Sequence, residues 1–305
     1  VLGSQTSYPG EVSNEFEQPD TNFGGTAGNV SYNHITESYG LYTNYRDFSP
    51  DFRADLGFIS QVGLRGANVG SAYKWLRESG SWFNRISINP GYTYLQEHNG
   101  RMLQSVFSFG LAYSGPLQTS AYIYTYTGKQ YYNGKTFDTR NLNFFTNIRP
   151  SGALNISIST GFSKRIDYSN MRPGNQFQII PSVEYKFGTH LITQVGHNFQ
   201  RMRVSGGRLY TANVSNARLV YQFNKRSFIR TNLQFVDYRY NTALYSNDRD
   251  PQSRRLGGQI LYSYKVNPQT VFYLGYSSNA IGDQDIGLAQ TNRTFFTKIG
   301  YAWLP

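Results

Sequence analysis

The chain has 305 residues, 15% of them charged, and a formal net charge of +11. No run of about eighteen apolar residues is available for a membrane-crossing helix, and the aromatic content is too high for a disordered chain. Cysteine is absent, which excludes a disulfide framework and thiolate metal sites.

The opening VLGSQTSYPG carries neither the charged nor the apolar segment of a signal peptide, so the chain reads either as already processed or as the C-terminal part of a longer protein. A first strand is placed within residues 1–8 and two more at 27–35 and 37–47. From about residue 65, segments of period-two alternation separated by turn residues follow one another. They predict strands at 65–78, 81–96, 101–114, 118–131, 135–149, 154–168, 176–187, 190–204, 208–223, 226–240, 254–266, 270–280 and 291–304.

The alternation is clearest in three places. Leu154, Ile156, Ile158, Thr160 and Phe162 oppose Asn155, Ser157, Ser159, Gly161 and Ser163. Ile229, Thr231, Leu233 and Phe235 oppose Arg230, Asn232 and Gln234. Leu256 to Val266 repeats the pattern, with Leu261 as the exception.

Short connections at SGPL, RPSG, FGT, NKR and NPQ alternate with longer polar ones at DYSNMRPGNQ, YNTALYSNDRDPQS and AIGDQDIGLAQ. Such alternation belongs to outer-membrane barrels, with tight periplasmic turns and longer extracellular loops. The expected fold is therefore all-β. It is a single transmembrane antiparallel up-and-down β-barrel domain over residues 1–305, with about sixteen strands and fourteen as the alternative, in the outer membrane of a Gram-negative cell. The last strand would have to pair with the first, because an open edge in lipid leaves backbone groups unsatisfied. With the short turns in the periplasm, Trp75, Trp82, Tyr301 and Trp303 all fall at the periplasmic edge, where an aromatic girdle is expected.

Four stretches, DFRADLGFI, RLVYQFNKRSFIRTNLQF, LYSYKVNPQTVFYLGYSSN and NRTFFTKIGYAW, resemble the C-terminal outer-membrane barrel of an uncharacterised family of Gram-negative surface proteins. In that family the barrel follows a module similar to family-nine carbohydrate-binding domains. The resemblance covers about residues 30–305. It implies an outer-membrane location and glycan handling, and it supplies no catalytic residue. Set against the family, these residues would correspond to the barrel without the carbohydrate-binding module and without some upstream strands.

Parity places Arg85, Arg230, Arg255, Lys265 and Lys298 on the inward face. They either make an electropositive pore for anions or acidic saccharides or pair with buried acids in a plugged lumen. Tyrosines such as those of SAYIYTYTGKQYYNG read as sugar-stacking surfaces or as interfacial rings. Asp248 with Asp250, and Asp283 with Asp285, offer oxygen ligands for loop calcium without the EF-hand pattern, or are simply exposed loop acids.

No histidine lies beside a serine and an acid in a hydrolase elbow. The chain is read as a non-enzyme without a cofactor. The basic residues are dispersed, which argues against nucleic acid as a partner. The expected partners are outer-membrane lipid and lipopolysaccharide, with a polysaccharide or a partner protein as further ones. The expected role is a pore or surface binder for polar, anionic or carbohydrate ligands. A structural barrel with a closed lumen that anchors a soluble module is the alternative, and a hydrolase assembled around His197 the third reading.

Overall fold

A computed structural model describes residues 24–52, 61–78, 80–267 and 269–302. Among them fifteen strands form: β1 (Ala27–Ile35), β2 (Tyr39–Phe48), β3 (Leu64–Leu76), β4 (Arg85–Glu97), β5 (Met102–Gly115), β6 (Thr119–Tyr132), β7 (Lys135–Ile148), β8 (Leu154–Asp167), β9 (Arg172–Phe187), β10 (Leu191–Val204), β11 (Gly207–Asn224), β12 (Ser227–Tyr240), β13 (Gln252–Asn267), β14 (Thr270–Gly282) and β15 (Ala289–Tyr301). Their order in the sheet is their order in the sequence. The registers of β1–β4 and β8–β15 are antiparallel throughout. Each strand answers to one expected from the alternation. The remaining one, within residues 1–8, lies outside the described residues.

The chain divides into two compact units, Val1–Tyr113 with Ile123–Leu142 and Ser114–Tyr122 with Asn143–Pro305. In each, directly opposed residues share a face, so the register sorts the side chains. In the second unit one face carries Ile156, Val183, Val195, Ala217 and Leu233 in a continuous cross-strand row. Ile260, Tyr276 and Phe295 follow on that face one row toward the short turns. The other face carries Ser182, Gln194, Asn216, Arg218, Gln234 and Gln259. In the first unit Val69, Tyr73, Trp75, Ile86, Ile88 and Tyr92 oppose a face with Asn44, Asn68, Lys74, Arg85 and Thr93.

The connections are less regular than the sequence pattern suggests. Strands run into the polar segments, so that between β8 and β9 only residues 168–171 stay outside the ladder, and between β14 and β15 only 283–288. Asn133 and Gly134 form a tight turn with φ 43 and 81, the two positive angles that a type I′ hairpin requires. At the opposite end, 77–84 is longer than a tight turn. The strands run on into the polar segments between β8 and β9 and between β14 and β15 because side-chain alternation fades where the strand leaves lipid, while backbone hydrogen bonding continues.

Two glycines of the polar face are needed for packing. A Cβ at Gly275 would run into the Phe296 ring, and one at Gly70 would run into the Tyr42 ring. Both are direct cross-strand pairs, with the ring lying over the bare backbone. Gly275→Val should therefore cost about 1–3 kcal/mol in urea unfolding. Adding Phe296→Ala should recover part of that loss, and equal loss in single and double variants would refute the contact.

Candidate functional site

The polar face of the second unit forms a groove of about 590 Å³ over β9–β14. Its wall is a carpet of amides. Gln194, Asn198, Asn216, Asn232, Gln234 and Gln259 line it together with Gly196 and Gly257, and among the described residues Arg218 is the one fixed charge in the lining. Glycines keep the floor low, while amide side chains offer both donors and acceptors. Neighbouring amides hold one another in place. Gln234 Nε2 donates to Asn216 Oδ1 at 2.9 Å, Gln178 Nε2 to Asn198 Oδ1 at 3.1 Å, and Asn279 Nδ2 to Asn292 Oδ1 at 3.0 Å.

Arg218 stands opposite Gln194 on one side and Asn232 on the other. Arg230, two residues from Asn232 on β12 and opposite Val220 and Leu261, shares that face. Its Nε is buried without a hydrogen-bond partner. Burying an unpaired guanidinium donor is costly, so this position calls for an acceptor from outside the chain, either water or an anion. Glu184 lies in the same row beyond Gln194, outside the groove lining, so this row of the polar face runs from an acid to a base across the sheet.

Arg255, Lys265 and Lys298 lie on this same face, opposite Val236, Val271 and Tyr273. Among the described residues none of the three forms an ion pair. In the first unit Arg85 stands opposite Leu76, on the face of Lys74 and Asn68. Arg218 escapes a reading of the sequence alone, because Ala217 and Leu219 give β11 too weak an alternation to mark its inward side. Its opposition to Asn232 across the Lys225–Arg226 turn is the signal that identifies it.

At the loop end of the same face the segment between β12 and β13 folds back onto the wall. Asp167 is buried and pairs with Arg172, Oδ2 to Nε at 3.0 Å. Arg172 Nη2 donates to the Leu244 carbonyl. Asn170 Nδ2 donates to Asp167 Oδ2 at 2.7 Å, and Asn170 Oδ1 accepts from the Ser246 amide at 3.0 Å. Arg249 lies 4.6 Å from the ring centres of both Tyr240 and Tyr245. Burial pushes the Tyr245 phenol up to about 12, against the opposing pull of Arg249.

The apolar face has the features of a lipid-facing surface. Val195, Leu233 and Phe295 are 60%, 50% and 70% exposed, in contiguous rows too large for a water-facing sheet. Aromatic residues border it at both ends. Tyr185 and Phe187 pack at 4.5 Å, and Tyr221 and Phe223 at 5.0 Å, near the short turns. Phe162, Phe177 and Phe199 form a chain near the loops, with ring centres 4.9 and 6.1 Å apart. On β10 the band from Leu191 to Phe199 corresponds to about 26 Å of strand, or about 20 Å of depth once tilted, against a typical band of about 25 Å.

Trp75 is exposed on the apolar face of the first unit. Trp82 is exposed in the turn segment, stacked on Tyr113 at 6.3 Å. Tyr301 is exposed at the end of β15, and Trp303 lies outside the described residues.

His197 Nδ1 meets Ser215 Oγ at 2.9 Å on the apolar face. The cross-strand partner of Ser215 is Phe235, an aromatic ring where a triad would need a carboxylate to orient the imidazole. Asp283 Oδ1 accepts from the amides of Asp285 and Ile286 at 2.9 and 2.7 Å, closing its own loop. Among the described residues no group of three or more His, Asp or Glu side chains is placed to hold a metal ion.

A meandering antiparallel sheet with one apolar, aromatic-edged face and one polar face is that of a transmembrane β-barrel of the bacterial outer membrane. Among solved structures the chain is similar to in-vitro folded OmpT, an outer membrane protein of Vibrio cholerae, at 10% identity over 92% of this chain and 96% of that one, with a TM-score of 0.39. It is similar also to the outer membrane channel DcaP of Acinetobacter baumannii, at 9% identity over 91% and 97% of the two chains and a TM-score of 0.41. The anion-selective porin of Comamonas acidovorans aligns at 9% identity over 90% and 98%, with a TM-score of 0.37. No protein-family model matches the sequence, and no curated protein matches it.

Proposed function

We propose that this barrel binds and passes anionic, hydroxyl-rich solutes, acidic saccharides above all, along the amide-lined groove. The observation that carries this reading is the presence of Arg218 in the groove wall with Arg230, its diagonal neighbour on the same face, whose buried Nε has no partner within the chain. Amides match hydroxyls, and two guanidinium groups supply the field for a carboxylate or sulfate. The resemblance to barrels that follow a carbohydrate-binding-like module agrees with a glycan ligand.

A closed structural barrel is the second reading. It is favoured by the fold-back of the loop between β12 and β13 onto the polar face.

Planar-bilayer recording separates the two. Steady anion-selective current is expected from folded protein, with selectivity reduced several-fold in the Arg218→Gln, Arg230→Gln double variant. An acidic sugar should block the current, and its neutral analogue should block far less. Absence of conductance from correctly folded protein would support the structural reading.

A further inference from the structure

On the outward face, beyond the apolar band, the strands between β10 and β13 carry a belt of arginines. On β10 the outward positions run Val195, His197, Phe199 and then Arg201 and Arg203. On β12 they run Leu233, Phe235, Asp237 and Arg239, and on β13 Arg254 follows Leu256. The change from apolar to cationic thus falls at about the same level on neighbouring strands. It coincides with the Phe162–Phe177–Phe199 chain, Arg201 standing directly opposite Phe177.

One carboxylate faces these charges and is already engaged. Asp237 Oδ2 lies 3.0 Å from Arg239 Nε, and its Oδ1 lies 3.8 Å from Arg254 Nε. Gln252 Nε2 also donates to that Oδ1, at 2.6 Å. Among the described residues Arg201, Arg203 and Arg208 form no ion pair. Moreover, Arg203 and Arg208 are directly opposed across the ladder. Like charges in that position destabilise a sheet unless something negative joins them.

We propose that this belt is a docking site for the phosphate groups of a bisphosphorylated glycolipid of the outer leaflet. Its acyl chains would lie on the apolar band below, and its phosphates would bridge Arg203 and Arg208, with Arg201 alongside. The fork of the guanidinium group matches phosphate oxygens in a bidentate way, and the site stands at the edge of lipid, where such headgroups lie. The proposal rests on the barrel being oriented with its loops outward, as the positions of the short turns indicate.

The test uses the full chain folded in detergent, with heat-modifiable gel mobility as the readout. Bisphosphorylated lipid A should raise the unfolding midpoint by several degrees. Dephosphorylated lipid A and inorganic phosphate should leave it unchanged. Arg203→Gln/Arg208→Gln should require about tenfold more lipid for the same shift, equal to about 1.4 kcal/mol. In lipid-free detergent it should be no less stable than the parent, since the repulsion is gone. Arg226→Gln, in the turn at the far end of β11, should respond as the parent does.

A shift with inorganic phosphate alone would overturn the lipid in favour of a free anion. An unchanged response in the double variant would overturn the site. Orientation is checked separately by thiol labelling of Asp248→Cys on intact cells, where the parent offers no cysteine. Failure to label would overturn the outer-leaflet assignment while leaving the channel reading open.

Discussion

Replacing Val195 by arginine should cost the barrel about 2–4 kcal/mol, measured by equilibrium folding into lipid vesicles in urea. Val195 sits midway between Leu191 and Phe199 on β10, is 60% exposed, and has Val183 and Ala217 as its neighbours across the ladder. If that face meets lipid, a guanidinium there must snorkel toward an interface about 10 Å away, losing packing as it does so. If the face met water, the same substitution would change stability by no more than about 0.5 kcal/mol.

Ser277→Arg supplies the control. Ser277 lines the groove on the opposite face, between Gln259 and Thr294, and should accept the charge at a cost within about 1 kcal/mol. Its side chain has water and amide acceptors within reach. Equal costs at the two positions would remove the assignment of faces, and with it the channel reading.

The strands are legible because the sheet is two-faced, and the alternation that expresses this survives in single strands such as β8 and β12. The boundaries are less legible. Residues 168–171 and 283–288 read as parts of longer loops because Arg172, Asn175 and Gln290 are polar on either face once the strand has left the apolar band.

The groove is legible only in part. Arg230 can be assigned from Ile229 and Thr231 beside it, whereas Arg218 has partners that become visible only through the register with β10 and β12. The contact of Arg172, itself held by Asp167, with Leu244 joins positions far apart in the chain. No local pattern marks it, because it depends on where an eleven-residue connection, residues 241–251, comes to rest.

That connection is the subject of the second large effect. Asp167→Ala should release the loop from the polar face, so that single-channel conductance rises and its voltage-driven closures become rarer. Asp167 is 6% exposed and fixes both Arg172 and Asn170, the two residues that hold Leu244 and Ser246. Its removal leaves a half-buried guanidinium without its anion. Breaking a pair of this kind costs about 3–5 kcal/mol in a closed interior, and less here because Arg172 is still partly reached by water.

The loop position should also depend on pH in a defined direction. The Tyr245 phenol is held neutral up to about 12 when the loop lies folded, against about 10 when it is free. A raised acid pKa means that the folded-back loop retains its proton longer than the released one. Its stabilisation is therefore complete below about pH 10 and is lost as the pH rises toward about 12. Conductance of the parent should accordingly climb over that interval toward the level of Asp167→Ala, while Asp167→Ala itself should stay flat. A parent trace that does not change between about pH 9 and 12 would show that the tyrosine cluster does not hold the loop, even if the Asp167–Arg172 pair does.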